Sequence, residues 1–442
     1  MTQPVTVGID IGTSSVKAVA ADADGTVVAS ARIPHSFSVP APLQFEHDAR
    51  VAWFDGPRAA LDALGPVDAV GVSVAAMVPS LTAVDADGVA CAPGLLYGDE
   101  RGSGVHVDPD APAELGEFGR FLGWLASEHP DARGFWPAQA VANFALSGES
   151  VMSTTAAALA YPLFNWVGWD EDALRGLGVA LEQMPALAPS GSVAAEIPGR
   201  PGCVLEGGTI DAMGEQIVAG ADNDGDVLVI CGTTLIVWSV MPELADVPGY
   251  YPMPHTQRGK FLVGGPSNAG GLFLDWARRL LRETDGSAAA DPGRVPVWVP
   301  YPRGERTPVN DSARRAQLVD LDLTHGPAEV RRATFEAAGF VTRRMIDACP
   351  APARRIVATG GGVRVQEWVQ CLADCTGVPV DVVAVPEGAA LGAAFLARIA
   401  AGLETSIADA SRWAKRDHTV EPDAAWVGPV ADRYARFLEV AS

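Results

Sequence analysis

The sequence predicts an α/β protein built from two duplicated domains. The first observation is a strand–turn–strand pattern near the start, Val7-Gly8-Ile9-Asp10-Ile11-Gly12-Thr13-Ser14-Ser15-Val16-Lys17. The second is the return of this pattern half a chain later, in Val227-Leu228-Val229-Ile230-Cys231-Gly232-Thr233-Thr234-Leu235-Ile236-Val237. The third is the length, because 442 residues can support two or three domains. We therefore predict domains over 1–212 and 213–442, with two unrelated hairpins as the alternative.

The first hairpin has the composition of a phosphate-binding turn. Gly12 permits a tight turn and close approach of a ligand, while the amides and hydroxyls of Thr13 and Ser14 can face an anion. Lys17 adds positive charge, and Asp10 at the strand end could hold Mg²⁺ through water. The turn is neither a Walker loop nor a dinucleotide fingerprint. An ordinary hairpin with a polar turn is the alternative.

Composition narrows the range of partners and compartments. The net charge is −22 and no basic stripe is present, which argues against nucleic acid and anionic membranes as partners. The sequence contains no signal-peptide pattern and no run of about 18 apolar residues, so no membrane span is predicted. Six cysteines without CxxC spacing favour core thiols over a metal site. We expect a cytoplasmic protein, since free thiols fit a reducing compartment.

The remaining elements follow in chain order. In the first half the patterns predict three strands within 5–33, a loop over 34–44, a helix over 51–64, a buried strand over 68–76, a connector over 103–117, a helix over 118–128, mostly helical structure over 135–175 and a loop or strand linker over 185–202. In the second half they predict strands within 226–240, a helix over 272–281, a strand over 297–299, helices over 327–347 and 365–375, a strand over 380–383, a helix over 389–397 and a polar, helix-like tail over 403–442 without a chemical signal.

Two polar motifs of the first half are candidates for substrate chemistry. Asp99, Glu100 and Arg101 follow an apolar segment, and carboxylate–arginine sets can grip the hydroxyls of sugars and polyols. A salt bridge in a surface turn is the alternative. Asp211 lies among glycines and small residues and opens a predicted helix, where it could accept a proton from a hydroxyl. An N-cap role for Asp211 is equally compatible with the spacing.

Glycine clusters mark the second half. Residues 264–271 read Gly-Gly-Pro-Ser-Asn-Ala-Gly-Gly, and this predicted turn precedes an amphipathic helix, so it is a candidate nucleotide contact. Gly360-Gly361-Gly362 joins a strand to a helix, where three glycines allow very close approach of a flat ligand or a phosphate. A simple tight turn is the alternative reading of the second cluster.

In this order the motifs resemble those of the FGGY carbohydrate kinase family, of the ribonuclease-H-like, actin-type superfamily. The resemblance covers about residues 5–400. The matching segments are Gly-Ile-Asp-Ile-Gly-Thr-Ser-Ser-Val-Lys (first phosphate hairpin), Tyr97-Gly-Asp-Glu-Arg (sugar loop), Gly208-Thr-Ile-Asp211 (segment of the catalytic base), Cys231-Gly-Thr-Thr (second phosphate hairpin), Pro300-Tyr-Pro-Arg-Gly-Glu-Arg-Thr-Pro (family signature), Gly360-Gly-Gly (adenine-side loop) and Glu387-Gly-Ala-Ala-Leu-Gly (closing helix). It implies two duplicated ribonuclease-H-like domains flanking an ATP/sugar cleft, the first binding sugar and the second binding nucleotide.

The resemblance implies a role for each matching residue. Asp211 is expected to be the catalytic base and, with Asp10, to hold Mg²⁺. The expected ATP contacts are Gly12, Thr13, Ser14, Lys17, Gly232, Thr233, Gly270, Gly361, Gly362 and Gln366. The expected sugar contacts are Met77, Asp99, Glu100 and Arg101.

The departures from the family pattern lie mostly on the sugar side. Xylulose kinases carry Gln-Met-His-Gly where this chain has Ala76-Met77-Val78-Pro79, and the following Ser-Leu-x-Ala-Val-Asp also resembles gluconate kinases. The resemblance implies an ATP-dependent kinase for a primary hydroxyl of a small sugar, with a ketopentose such as D-xylulose favoured and gluconate or a polyol (glycerol, erythritol) as alternatives. A nucleotide-gated binding protein of the actin and heat-shock kind, without sugar phosphorylation, is the alternative class. A homodimer is left open.

Overall fold

The computed structural model describes residues 4–103, 116–257, 259–281, 290–385 and 387–441, so the predicted connector over 103–117 lies largely outside the described residues. The chain divides into two compact units. The first comprises the chain up to Val218 together with Ala389–Trp413, and the second comprises the remainder. The predicted domain boundary is at residue 212, and the division into units falls after Val218, within the helix Asp211–Ala219.

A seven-stranded sheet forms the centre of the first unit. Its strands are, in spatial order, Val193–Glu196, Val204–Glu206, Ala69–Ala76, Val5–Ile11, Ser15–Ala21 and Val27–Pro34, with Thr209–Ile210 also beside Ala69–Ala76. Val5–Ile11 is antiparallel to the second strand of the predicted hairpin and parallel to Ala69–Ala76. Every residue of Val5–Ile11 is buried, as its nearly continuous apolar sequence predicts for a central strand.

Further strands and helices complete the first unit. A five-stranded sheet contains Phe37–Ser38, Glu46–His47, Gly94–Leu96, Ser80–Val84 and Gly134–Trp136, and Val151–Ser153 pairs with Ala186–Ala188. The helices are Arg50–Asp55 (π), Gly56–Ala63, Glu117–Glu128, Ala138–Ser147, Thr154–Ala157, Ala158–Ala160 (3₁₀), Glu171–Gly176, Leu181–Gln183 (3₁₀), Asp211–Ala219, Gly388–Ala400 and Ile407–Trp413 (3₁₀). The prediction of mostly helical structure over 135–175 is wrong at two short apolar runs, which form strands because they pair with distant segments. The periodicity of such short runs does not distinguish a strand from a helix.

The helix Gly388–Ala400 returns to the first unit because glycines let it approach the sheet closely. A Cβ on Gly8 would lie 1.7 Å from the Ala390 carbonyl oxygen, and a Cβ on Gly71 would lie 2.8 Å from that of Ala397. Such distances are shorter than a side chain tolerates, so the small residues on both surfaces are required for this packing. The predicted helix over 389–397 is thus confirmed, and its place in the first unit is decided by contacts that are distant in sequence.

The second unit repeats the strand order of the first. Its seven-stranded sheet runs Tyr251–Pro254, Phe261–Ser267, Leu235–Met241, Asp226–Cys231, Arg355–Thr359, Val380–Val383 and Arg416–Val420. In both sheets a three-stranded antiparallel meander is followed by two strands parallel to its first member. This shared topology confirms the internal duplication predicted from the two hairpins.

Helices and a short hairpin complete the second unit. Val297–Val299 pairs with Gln317–Val319, and the helices are Gly271–Leu281, Pro327–Asp347, Gly361–Arg364 (3₁₀), Gln366–Thr376 and Ala424–Val440. Pro327–Asp347 has the predicted bounds, since proline opens it and Glu329 accepts a hydrogen bond from the Gly326 amide at 2.8 Å. The predicted glycine turn over 264–271 is only partly correct, because Gly264 and Gly265 lie within a strand.

The C-terminal tail is not the purely helix-like segment that the sequence predicts. Arg416–Val420 adds an antiparallel strand to Val380–Val383, and the helix Ala424–Val440 follows. Arg433 on that helix donates two hydrogen bonds of 2.7 Å to Glu336, whose side chain is fully buried. A buried ion pair with a residue 97 positions earlier fixes the tail to the second unit, and no local pattern could indicate it. Among the residues described, no helix combines the length and apolar character needed to cross a membrane.

Candidate active site

Three adjacent parallel strands of the first unit end at one edge of its sheet. In their registers, Asp10 and Thr209 lie opposite Ala75 on either side of the strand Ala69–Ala76. Asp10 therefore lies at the end of its strand, Met77 directly follows the middle strand, and Asp211 directly follows Thr209–Ile210. Ligands of open α/β sheets bind outside the carboxyl ends of the strands. The topology thus brings together the predicted metal residue, one predicted sugar contact and the predicted base.

The carboxylates at this edge suit a magnesium ion bound together with phosphates. The backbones of Asp10 and Thr209 are two strand spacings apart, about 10 Å. Asp10 is buried, and its Oδ2 lies 3.2 Å from Lys17 Nζ on the neighbouring strand. Within the described ranges, no group of three or more His, Cys, Asp or Glu side chains could hold a metal alone. Mg²⁺ commonly takes one or two carboxylates and completes its shell with water and phosphate oxygens, so this donor set fits it.

The turn after Asp10 is held by contacts that the sequence analysis did not predict. The Gly12 amide donates to the Ser15 carbonyl at 3.1 Å, and the Thr13 hydroxyl lies 3.0 Å from the Tyr97 hydroxyl. The Thr13 carbonyl contacts His47 Nε2 at 2.9 Å. His47 is 34 positions away in the chain, so no local pattern around Gly12 could have pointed to it.

Asp99 and Arg101 form a buried ion pair rather than the salt bridge of a surface turn. Arg101 Nη2 donates to Asp99 Oδ2 at 2.6 Å, and its Nη1 donates to Glu46 Oε2 at 2.7 Å. Asp99 is 1% exposed and also accepts from the Phe45 amide at 2.7 Å. Burial alone would lower the pKa of Arg101, but the hydrogen bonds to the two carboxylates outweigh it and raise that pKa. The guanidinium also lies 5.3 Å from the ring of Trp124, so its orientation is fixed.

The segment that leads to Asp211 is shaped by a second buried carboxylate. Glu206 is fully buried and accepts hydrogen bonds from the Gly208 amide and the Ser73 hydroxyl, both at 2.7 Å. Burial raises the pKa of Glu206. Gly208 has φ +93°, and a Cβ there would lie 2.7 Å from the Val74 carbonyl oxygen. Glycine is therefore required, and its sharp turn carries the chain from one strand segment to the next.

A buried glutamine connects the two strand ends that precede Met77 and Asp211. Gln139 Nε2 lies 3.2 Å from the Thr209 carbonyl oxygen and 3.4 Å from that of Ala76. The residue is fully buried on the helix Ala138–Ser147. The sequence analysis missed Gln139 because a lone glutamine in a small-residue helix carries no signal of this contact.

In the second unit three of the predicted nucleotide motifs meet. The Gly271 amide donates to the Gly232 carbonyl at 2.8 Å, and a Cβ on Gly270 would lie 2.6 Å from the Thr233 carbonyl oxygen. A Cβ on Gly362 would lie 2.7 Å from the Cys231 carbonyl oxygen. The structure therefore places the second hairpin turn, the start of the helix Gly271–Leu281 and the triple glycine in direct contact.

Two predicted nucleotide residues of the second unit lie at the surface. Gly361 is exposed, and a Cβ there would meet no atom of the described residues within 4 Å. Gln366 is exposed and is the first residue of the helix Gln366–Thr376. Both are accessible to a ligand, and neither is needed for internal packing.

The duplicated sheets, each with a glycine hairpin at its centre, define the class of protein as one of two-domain, actin-like fold. Residues 5–107 match the model of the N-terminal domain of the FGGY family of carbohydrate kinases, and residues 227–401 match that of its C-terminal domain. The chain belongs to the FGGY family of carbohydrate kinases. It is therefore an ATP-dependent sugar kinase, which confirms the predicted enzyme class rather than a binding protein without sugar phosphorylation.

Individual relatives agree with this family. The chain is 28% identical to a xylulose kinase of Klebsiella pneumoniae over 89% of each chain, and 27% identical to one of Escherichia coli over 95% of this chain and 94% of the relative. A gluconokinase of Bacillus subtilis is 23% identical over 89% of this chain and 87% of its own length. The solved gluconate kinase of Lactobacillus acidophilus superposes with a TM-score of 0.81, at 22% identity, over 99% of this chain and 98% of that chain.

Proposed function

We propose that this protein transfers the γ-phosphoryl group of ATP to a primary hydroxyl of a ketopentose such as D-xylulose. The observation that carries the proposal is the row of strand ends at which Asp10, Met77 and Asp211 lie. The similarity to xylulose kinases over most of the chain supports the choice of sugar.

In the proposed reaction Asp211 accepts the proton of the sugar hydroxyl as its oxygen forms a bond to the γ-phosphorus. The bond from that phosphorus to the bridging oxygen breaks, and ADP leaves with the electron pair. Asp211 begins a helix, and its Oδ1 already accepts from the Ala212 amide at 2.7 Å, which orients the carboxylate. Positioning and neutralisation of charge supply most of the rate enhancement in such reactions.

The phosphate contacts are assigned to the two hairpins and the glycine segments. In the first unit these contacts are Gly12, Thr13, Ser14 and Lys17. In the second unit the nucleotide contacts are Gly232, Thr233, Gly270, Gly361, Gly362 and Gln366. Asp10 and Asp211 would hold Mg²⁺, which when bound neutralises charge on the phosphate oxygens.

The sugar contacts favour an uncharged substrate over a sugar acid. Arg101 is matched by two carboxylates, Asp99 and Glu46, and all three side chains are at most one-fifth exposed. A substrate carboxylate would therefore find no uncompensated positive charge at this cluster. We assign sugar contacts to Met77, Glu100 and Arg101, with Asp99 holding the arginine. A ketopentose is preferred, a polyol is the second candidate, and gluconate is disfavoured.

We further propose a reducing compartment, the cytoplasm, as the site of action. No disulfide joins any of the six cysteines, all of which lie in the described ranges, and disulfides would be expected in an oxidising compartment. A homodimer stays a prediction, and analytical ultracentrifugation of the purified protein would decide it.

The substrate is tested by ADP release from ATP and Mg²⁺ across D-xylulose, L-ribulose, D-gluconate, glycerol and erythritol. We expect one strong responder among the ketopentoses and no response to gluconate. A response to gluconate alone would refute the argument from Arg101. Release of ADP without any sugar would refute the assignment of the sugar loop.

The base is tested with Asp211→Asn, and the exposed Asp172→Asn serves as the control. We expect kcat to fall by roughly 100-fold or more in Asp211→Asn while MgATP affinity is retained, because a positioned base contributes about that much. The Asp172 side chain is 89% exposed on a short helix of the same unit, so its variant should behave as wild type. Unchanged turnover in Asp211→Asn would remove this residue from the mechanism.

A further inference from the structure

A chain of two hydrogen bonds runs from Trp53 through His47 to the turn of the first hairpin. Trp53 Nε1 donates to His47 Nδ1 at 3.0 Å, and His47 Nε2 lies 2.9 Å from the Thr13 carbonyl oxygen. An indole nitrogen can only donate, so Nδ1 must be the acceptor. The proton of a neutral His47 is then on Nε2, which donates to Thr13. The surroundings thus fix the tautomer of His47.

The position of His47 keeps it neutral. Its side chain is 1% exposed, and Trp53 is fully buried. Burial lowers the pKa of His47 to about 4, so the ring is uncharged at neutral pH. A protonated ring would also turn Nδ1 into a donor facing the Trp53 donor. Trp53 lies in the π-helical turn Arg50–Asp55, and such turns are frequent at functional sites.

The next carbonyl of the turn is held in the same way. The His35 amide donates to the Ser14 carbonyl at 3.0 Å, and the His35 ring packs edge-on against His47 with centroids 4.6 Å apart. A trans peptide places its N–H opposite its C=O. With the carbonyls of Thr13 and Ser14 directed at these donors, the amides of Ser14 and Ser15 are directed the other way.

We propose that His47 is a positioning residue for the phosphate-binding turn, holding the Thr13 carbonyl so that the Ser14 amide is directed at a nucleotide phosphate. Donors that are fixed before the ligand arrives need no reorganisation when charge develops. The inference rests on the proposed function, because it requires that the Gly12–Ser14 turn binds phosphate.

The test uses two variants, each of which keeps the hydrogen-bonding role of one of the two ring nitrogens of His47. In His47→Gln the amide nitrogen can replace Nε2 and still donate to Thr13, but the acceptor for Trp53 is lost. In His47→Asn the amide oxygen can replace Nδ1 and still accept from Trp53, but the Thr13 contact is lost. His47→Gln leaves the fully buried Trp53 N–H without its acceptor, whereas His47→Asn releases the Thr13 carbonyl from a part-buried contact. His47→Gln should therefore lose at least as much stability as His47→Asn, so weaker nucleotide binding in His47→Asn alone cannot come from lost stability.

The readouts are the Kd for MgADP by calorimetry and the KM values for ATP and sugar. We expect His47→Asn to raise the Kd for MgADP and the KM for ATP by about 10-fold, as for one lost contact, with the KM for sugar unchanged. His47→Gln should stay within about 2-fold of wild type by the same reasoning. Equal nucleotide affinities in the two variants would overturn the inference.

Two further outcomes keep the test decisive. If His47→Asn does not fold, Trp53→Phe removes the indole donor and leaves His47 in place, so its ring loses the fixed tautomer. We expect that variant to weaken MgADP binding by about 3-fold, and wild-type affinity in it would overturn the inference. A wild-type protein that binds no MgADP would overturn the proposed function itself, together with this inference.

Discussion

Glu305 accepts a hydrogen bond of 2.7 Å from the hydroxyl of Ser267, which lies 38 residues earlier in the chain. Its other oxygen accepts from the amides of Asn268 and Arg306 at 3.1 and 2.6 Å. The Gly-Glu-Arg-Thr-Pro segment thus fixes the stretch that leads to Gly270. Glu305 is 2% exposed, and burial raises its pKa to about 7.

This buried carboxyl predicts a pH dependence of stability. Because its folded-state pKa lies above the ordinary 4.5, the folded protein binds the Glu305 proton more tightly than the unfolded chain does. The stabilisation of the folded state by protonated Glu305 is complete below about pH 4.5 and is lost as the pH rises through about 7. Its contribution to the free energy of unfolding is up to about 3 kcal/mol. In urea unfolding between pH 5 and 8, the free energy of unfolding of wild type should fall with rising pH relative to that of Glu305→Gln, because the other titrating groups, His47 among them, contribute equally in both proteins. Parallel pH profiles of the two proteins would contradict the assignment.

Gln139→Ala should impair catalysis more than ATP binding. The variant loses the amide that bridges the strand ends before Met77 and Asp211, so both side chains are less firmly placed. We expect kcat to fall by roughly 10- to 100-fold with the KM for ATP nearly unchanged, since small misplacements are costly in the reaction step. Val141→Ala, at a buried position of the same helix, controls for lost packing. Equal kcat losses in both variants would reduce Gln139 to a structural role.

Gly361→Ala should weaken nucleotide binding without changing the stability of the fold. A Cβ there meets no described atom within 4 Å, so the free energy of unfolding should change by less than about 0.5 kcal/mol. If the loop approaches the nucleotide closely, the Kd for MgADP should rise about 10-fold through steric exclusion. Gly428→Ala, another glycine with open space, lies in the C-terminal helix and should leave that Kd unchanged. An unchanged Kd in Gly361→Ala would remove this loop from the nucleotide contacts.

Glu336→Ala should destabilise the second unit strongly. Glu336 accepts hydrogen bonds from Arg332 and Arg433. Its loss leaves the buried Arg433 without a carboxylate, whereas Arg332 keeps its ion pair with Asp374. We expect a loss of about 3–5 kcal/mol in the free energy of unfolding by urea titration. Arg436→Ala removes only exposed ion pairs of the same C-terminal helix and should cost far less. A similar cost in both variants would show that the buried pair is not what holds the tail.

Much of the site could be predicted because its signals are local. Strand, turn and helix patterns within a few residues indicate Gly12, Gly232 and Gly362. In the structure, Gly362 lies against the second hairpin turn, which contains Gly232. The roles assigned to Asp10 and Asp211 remain predictions, although the sheet brings them to one edge. The contacts of His47 and Gln139 with these segments were not predicted, because the residues next to them in the sequence do not indicate what they contact.

The sequence by itself determined the α/β class, the duplication, the family and elements such as the helix Pro327–Asp347. The capping residues and the apolar periodicity of that helix can be read from consecutive residues. Tertiary structure alone decided that Gly388–Ala400 joins the first unit, that Asp99 is buried against Arg101 and that His47 holds Thr13. The physical reason is that hydrogen bonds, ion pairs and close packing depend on which distant segments become neighbours. Local propensity carries no information about those neighbours until the sheets have formed.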